Sequence, residues 1–117
     1  MPTTGPNLGI THSWAEAESG WKAAMDANLK KLDALVQLSV KSYSVSTPPG
    51  SPSNGHRYIV GISPTGAWTG HTNDVAVWES AASAWTFYVP KTGWFSYVED
   101  TTEFVKYVSG SWASTGI

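Results

Sequence analysis

The sequence predicts an α+β fold: an N-terminal amphipathic, coiled-coil-like helix followed by a small antiparallel β-meander domain. Three observations carry that reading. Residues 13–40 contain no proline and repeat their apolar residues at helical spacing; residues 57–113 switch to period-two alternation interrupted by turn residues; and the stretch between them is dense in proline, glycine and serine. A chain of 117 residues supplies material for one domain and excludes a second of full size.

Taken in order, residues 1–12 hold Pro2, Gly5, Pro6 and Gly9, which disfavour regular structure and predict an extended arm. Leu8 and Ile10 are its large aliphatic residues, either pegs for a neighbouring protein or part of an ordinary frayed end. Residues 13–40 are the predicted helix. Ser13 and Glu16 fit a capping box, and the one interior glycine, Gly20, costs about 1 kcal/mol relative to alanine. Trp14, Trp21, Asn28 and Leu35 recur every seven residues, with Glu18, Met25, Leu32 and Ser39 four positions after each, the 3-4 spacing of a self-associating seam. Leu29, Val36 and Leu38 widen the apolar face, which leaves open a helix that lies on its own sheet.

Residues 41–56 read as a linker, because Pro48, Pro49 and Pro52 deny ladder hydrogen bonds and Gly50 and Gly55 loosen the chain. A short strand at Tyr43–Ser46 is compatible with the alternation there. Residues 57–117 form the β-domain, with strands expected at Arg57–Ile62, Val75–Glu79, Trp85–Val89, Trp94–Val98, Phe104–Val108 and Ser111–Ala113. The segments between them carry turn chemistry, among them Ser63-Pro64-Thr65-Gly66, Pro90-Lys91-Thr92-Gly93 and Ser109-Gly110.

Composition narrows the function classes. A formal charge of −2 offers no broad basic surface, so neither duplex nucleic acid nor an anionic membrane is an expected partner. Without cysteine there are no disulfides, zinc-thiolate sites or thiol nucleophiles. No apolar run is long enough to insert in a membrane, and the first residues lack the pattern of an export signal; the chain reads as soluble. Leu, Ile, Val and Phe together are scarce, so seven Trp and five Tyr must fill much of the core.

Candidate chemistry is sparse. His71 and Asp74 share a polar loop, but no G-x-S-x-G elbow accompanies them, and a loop histidine bonding its own turn is the simpler account. Glu99, Asp100 and Glu103 sit at one hairpin tip, where solvent keeps acid and base from separating, and they lack the interleaved ligands of a calcium loop. The expectation is a non-enzyme with no cofactor and no metal. Trp68, between Gly66 and Gly70, and Trp94, after the Pro90–Gly93 turn, are either platforms for a sugar or partner, or plugs for the core.

The successive stretches Asn28–Gln37, Pro48-Pro49-Gly50-Ser51-Pro52, Gly55–Val60, Gly66-Ala67-Trp68-Thr69-Gly70, Val75-Ala76-Val77-Trp78, Trp85-Thr86-Phe87 and Pro90-Lys91-Thr92-Gly93 resemble a family of short phage, prophage and gene-transfer-agent proteins of unknown function. The chain departs from that family at Gly20–Ala24, where Gln and Lys-His are usual. The resemblance implies a virion structural protein, a head or tail fibre, spike or decoration component, assembled in the host cytoplasm and commonly a homotrimer. On that reading Asn28 becomes a register-setting polar layer, and residues 1–12 anchor to another capsid or tail protein through Leu8 and Ile10. The β-domain then projects outward for host attachment, with Trp68 and Trp94 able, in the alternative reading, to bind a host-surface glycan.

Overall fold

A computed structural model describes residues 2–117. The chain forms two compact units, one ending at Val36 and the other spanning Gln37–Ile117. In the first, β1 (Thr3–Thr4) and β2 (Thr11–His12) pair as an antiparallel hairpin, and a single helix, α1 (Trp21–Leu35), follows. The predicted extended arm is therefore a hairpin, closed additionally by the Gly5 N–H donating to Ile10 O at 2.7 Å.

The long coiled-coil-like helix expected over 13–40 is not formed; helix accounts for 16% of the chain and strand for 28%, so sheets dominate. The reason is local. Ser13 and Ala17 have φ of 64° and 60°, left-handed values that cannot continue a helix, and Gly20 at 83° begins α1 instead. The capping box expected of Ser13 and Glu16 is not formed: α1 has no side-chain N-cap, and Glu18 Oε1 instead closes a turn ahead of it by accepting the Ala15 N–H at 2.8 Å. At the other end Gln37 turns left-handed at φ 54°, and Ser39 falls in a strand.

Asn28 locks the first unit together. Its Oδ1 accepts the Thr11 N–H at 2.9 Å and its Nδ2 donates to Thr11 O at 2.8 Å, so the side-chain amide pairs with β2 as another strand's peptide group would. Lys31 Nζ adds a bond to Gly9 O at 3.0 Å. Asn28 is thus a buried latch between helix and hairpin, a correction to its expected place in a seam between helices.

The second unit holds two sheets. One is the antiparallel meander β4 (Arg57–Ile59), β5 (Val75–Glu79) and β6 (Ala84–Tyr88). The other has the order β3-β7-β8-β9, where β3 is Ser39–Val40, β7 Phe95–Val98, β8 Glu103–Val108 and β9 Ser111–Ser114. The six expected strands are all present within a few residues of their predicted bounds, but they divide into two sheets, and β3 adds to β7 in parallel. The sequence shows no sign of that parallel pairing.

The supposed linker is a structural seam. Lys41 N–H donates to Arg57 O, Ile59 N–H to Ser42 O and Gly61 N–H to Val45 O, at 2.8, 3.1 and 2.8 Å. Residues 41–46 therefore continue the path of β3 alongside β4. The approach is close: a Cβ on Gly61 would lie 2.7 Å from Ser46 Oγ and 3.0 Å from Val45 O. One core is aromatic, with Val60, Trp68 and Ala76 fully buried and Tyr58, Trp85 and Phe87 packed on them. The other face of β4 and β5 carries the buried aliphatics Ile59, Val75 and Val77.

Two substitutions test these supports. Asn28→Ala leaves the Thr11 peptide groups without their partners, at a cost of about 1–3 kcal/mol; hydrogen exchange should accelerate over residues 3–12 while the amides of 57–108 keep their protection. Gly61→Ala should lower the unfolding free energy of the second unit by about 1–3 kcal/mol in a urea titration, since Val45 O belongs to the backbone and cannot swing away.

Candidate functional site

An exposed apolar feature lies on α1. Trp21, Met25, Leu29, Leu32 and Val36 are 55%, 36%, 56%, 40% and 54% exposed. At about 100° per residue they fall within an arc of roughly 80°, one continuous stripe. Asn28 and Leu35 lie just outside that arc, and Asn28 is engaged by β2. The expected heptad seam therefore divides: Trp21, Met25 and Leu32 belong to the stripe, whereas Asn28 and Leu35 do not. Leu29 and Val36, read from sequence as widening the face, belong to it, with Leu29 at its edge. Trp14 and Glu18 precede the helix and are half-buried, and Ser39 lies in β3, where its Oγ donates to Glu99 Oε2 at 3.0 Å.

Leu8 and Ile10 are half-buried in the hairpin loop, lining a shallow depression of about 220 Å³ with Pro6 and His12. Trp68 is wholly buried, in a single 3₁₀ turn (Gly66–Trp68), and its indole meets Trp85 edge-on at 5.2 Å. Of the two alternatives the sequence leaves open, Trp68 is the core plug and not the surface platform, because glycines at a loop hold an indole inward as readily as outward and only the core decides. Trp94 is half-buried just before β7.

The titratable groups are held by their own neighbourhoods. His71 Nδ1 lies 2.9 Å from Asp74 Oδ2, and the imidazole stacks on Phe87 with centroids 3.5 Å apart and planes 5° from parallel. No serine hydroxyl among the described residues hydrogen-bonds that imidazole. Glu99 accepts from Lys41 Nζ at 3.0 Å as well as from Ser39, and these bonds hold its pKa below the usual glutamate value, the lysine contributing most. Glu103 is lowered by Ser114 Oγ at 2.8 Å and Tyr43 OH at 3.0 Å. A general acid needs its carboxyl pKa raised, so this hairpin is arranged for cohesion between strands. Among the described residues no group of three or more His, Asp or Glu side chains could hold a metal ion, and no helix is long and apolar enough to cross a membrane.

A feature without a sequence signal is a cleft of about 380 Å³ in the second unit, lined by Tyr43, Ser44, Ile59, Ile62, Asn73, Ser111 and Trp112 among others. These residues come from four separated stretches, and only the pairing of 41–46 with β4 and the packing of the two sheets brings them together. Trp112 Nε1 donates to Asn73 O at 2.9 Å, and Asn73 Nδ2 to Gly110 O at 3.0 Å, bonds that tie the β8-β9 hairpin to the loop before β5.

The depressed pKa of Glu99 predicts an acid-side loss of stability. Its contribution is present above the ordinary carboxylate value of about 4.3 and is lost as pH falls through the lower folded value. Because the pair is well exposed, the effect is no more than about 1 kcal/mol. Urea midpoints measured between neutral and acid pH should fall less steeply for Glu99→Gln than for the natural chain.

Comparison with curated proteins and with solved structures yields no match to either. A family match covers about three quarters of the chain, taking in most of α1 and the whole sheet unit as far as β9. The chain belongs to the family described as protein of unknown function (DUF2793), matched over residues 25–113.

Proposed function

We propose that this protein is a non-enzymatic structural component of a phage-like particle, whose copies associate through the exposed face of α1 and present the sheet unit. The sequence resemblance to phage, prophage and gene-transfer-agent proteins supplies the setting. The observation that carries the association is the stripe Trp21-Met25-Leu29-Leu32-Val36: five large apolar side chains, contiguous on one face and 36–56% exposed. Such a face marks an interaction site more often than it is tolerated as bare surface.

Magnitudes define the kind of association. Full burial of a large apolar side chain is worth about 1.5–3 kcal/mol, and these five have roughly half of that still to gain, so one stripe contributes about 5 kcal/mol. Two facing stripes about double that, against an association cost of about 4–15 kcal/mol. Free chains therefore associate weakly. Copies held side by side on a particle meet at high effective concentration, and the same stripe then suffices. A hairpin latched to the helix by Asn28 keeps the stripe's residues on one side without any partner.

Sedimentation velocity should show a mass that rises above 12.6 kDa as the concentration is increased. Leu29→Asp and Leu32→Asp should hold it at the monomer with an unchanged far-UV circular dichroism spectrum; a monomer at every concentration in the natural chain refutes the association. For the setting, particles purified on a density gradient from a strain carrying the gene should contain tryptic peptides of this chain in fixed ratio to capsid protein, and their absence overturns it.

A further inference from the structure

We infer that the cleft between Tyr43 and Trp112 binds one neutral pyranose ring. Four properties converge on that ligand class. The volume, about 380 Å³, lies within the range of small-molecule sites, and the lining holds no charged side chain, so neither an anionic nor a cationic ligand finds a counter-charge. Two aromatic side chains line it, and both are fixed before any ligand arrives: the Trp112 indole by its bond to Asn73 O and the Tyr43 phenol by its bond to Glu103. Fixed rings lose little conformational freedom on binding; the half-buried Tyr43 ring suits the C–H surface of a sugar, and Trp112, only 8% exposed, forms a rigid floor.

The remaining polar groups supply the other half of the recognition. Asn73 Nδ2 is occupied by Gly110 O, which leaves Asn73 Oδ1 as an acceptor with no partner among the described residues. Among the described residues Ser111 Oγ makes no hydrogen bond, and Ser44 Oγ has only a 3.4 Å contact with Ser42 Oγ. A purely apolar ligand would strip water from these groups and return nothing, at a cost of about 1–3 kcal/mol each. A sugar hydroxyl can donate to Asn73 Oδ1 and exchange a bond with Ser111. The site differs from the tryptophan platforms weighed as an alternative at Trp68 and Trp94, and it does not depend on association through α1.

The test uses the full chain, ¹⁵N-labelled, with the methyl glycosides of glucose, galactose, mannose and N-acetylglucosamine at millimolar concentration, sialic acid as the charged probe and toluene as the apolar one. At least one neutral glycoside should shift the Trp112 indole N–H and the Asn73 side-chain amide, and sialic acid should not. Ser111→Val should weaken binding about tenfold, as expected for one lost hydrogen bond. Ile62→Ala trims a wall residue that is 78% exposed; it leaves the core intact and should also weaken binding. Leu29→Asp should bind as the natural chain does, which separates this site from the association surface. The inference fails if no neutral glycoside moves those resonances, if toluene moves them more than any glycoside, or if both cleft variants bind unchanged.

Discussion

The backbone of residues 38–46 is hydrogen-bonded on both sides, and the sheet unit is organised around it. On one side Tyr97 N–H donates to Leu38 O and Glu99 N–H to Val40 O, at 3.0 and 2.9 Å; on the other, Lys41 and Ser42 exchange bonds with Arg57 and Ile59. Each three-stranded meander is thereby tied to the same short segment. The shared segment covers an edge that each small sheet would otherwise leave open. Val40, at the centre of this segment, is fully buried, as are Ile59, Val75, Val98 and Val105 from the flanking strands. Gly61 fits here because the chain passes within contact distance of Val45 O and Ser46 Oγ.

That arrangement creates the cleft. Tyr43 and Ser44 sit on the shared segment, Ile59 and Gly61 on the strand beside it, Asn73 on the loop leading to β5, and Ser111 and Trp112 on the last hairpin. The Asn73 bonds to Gly110 and from Trp112 draw the two meanders together at that point. The first unit obeys a different logic. There a single buried amide replaces a hydrophobic core: Asn28 holds the hairpin by two hydrogen bonds, and the aliphatic and aromatic side chains that a larger core would have enclosed remain on the surface of α1. A unit this small cannot bury them by itself.

Much of the sheet unit was legible. Val75–Glu79, with its alternation and the Ser80–Ser83 turn, is a strand with the bounds the pattern assigns it, and five further strands lie within a few residues of theirs. Local alternation and turn residues suffice for hairpins because both partners are near in sequence. The helix was misjudged at both ends for a related reason. Proline-free, alanine-rich sequence permits a helix over 13–40, but Ser13, Ala17 and Gln37 adopt left-handed backbone that composition does not signal. Asn28 satisfied a heptad position equally well as a seam residue or a latch, and only the presence of β2 beside it separates the two.

The amino-acid sequence by itself determined which stretches alternate, where hairpins turn, and that aromatic rings must do the work of missing aliphatics. Tertiary structure decided the rest: the division into two sheets, the parallel addition of β3, the burial of Trp68, and the cleft. These depend on pairing between residues such as Val40 and Val98, far apart in the chain. The free energy of such a contact is set by which surfaces meet after the chain closes on itself, and no local pattern of side chains encodes that meeting.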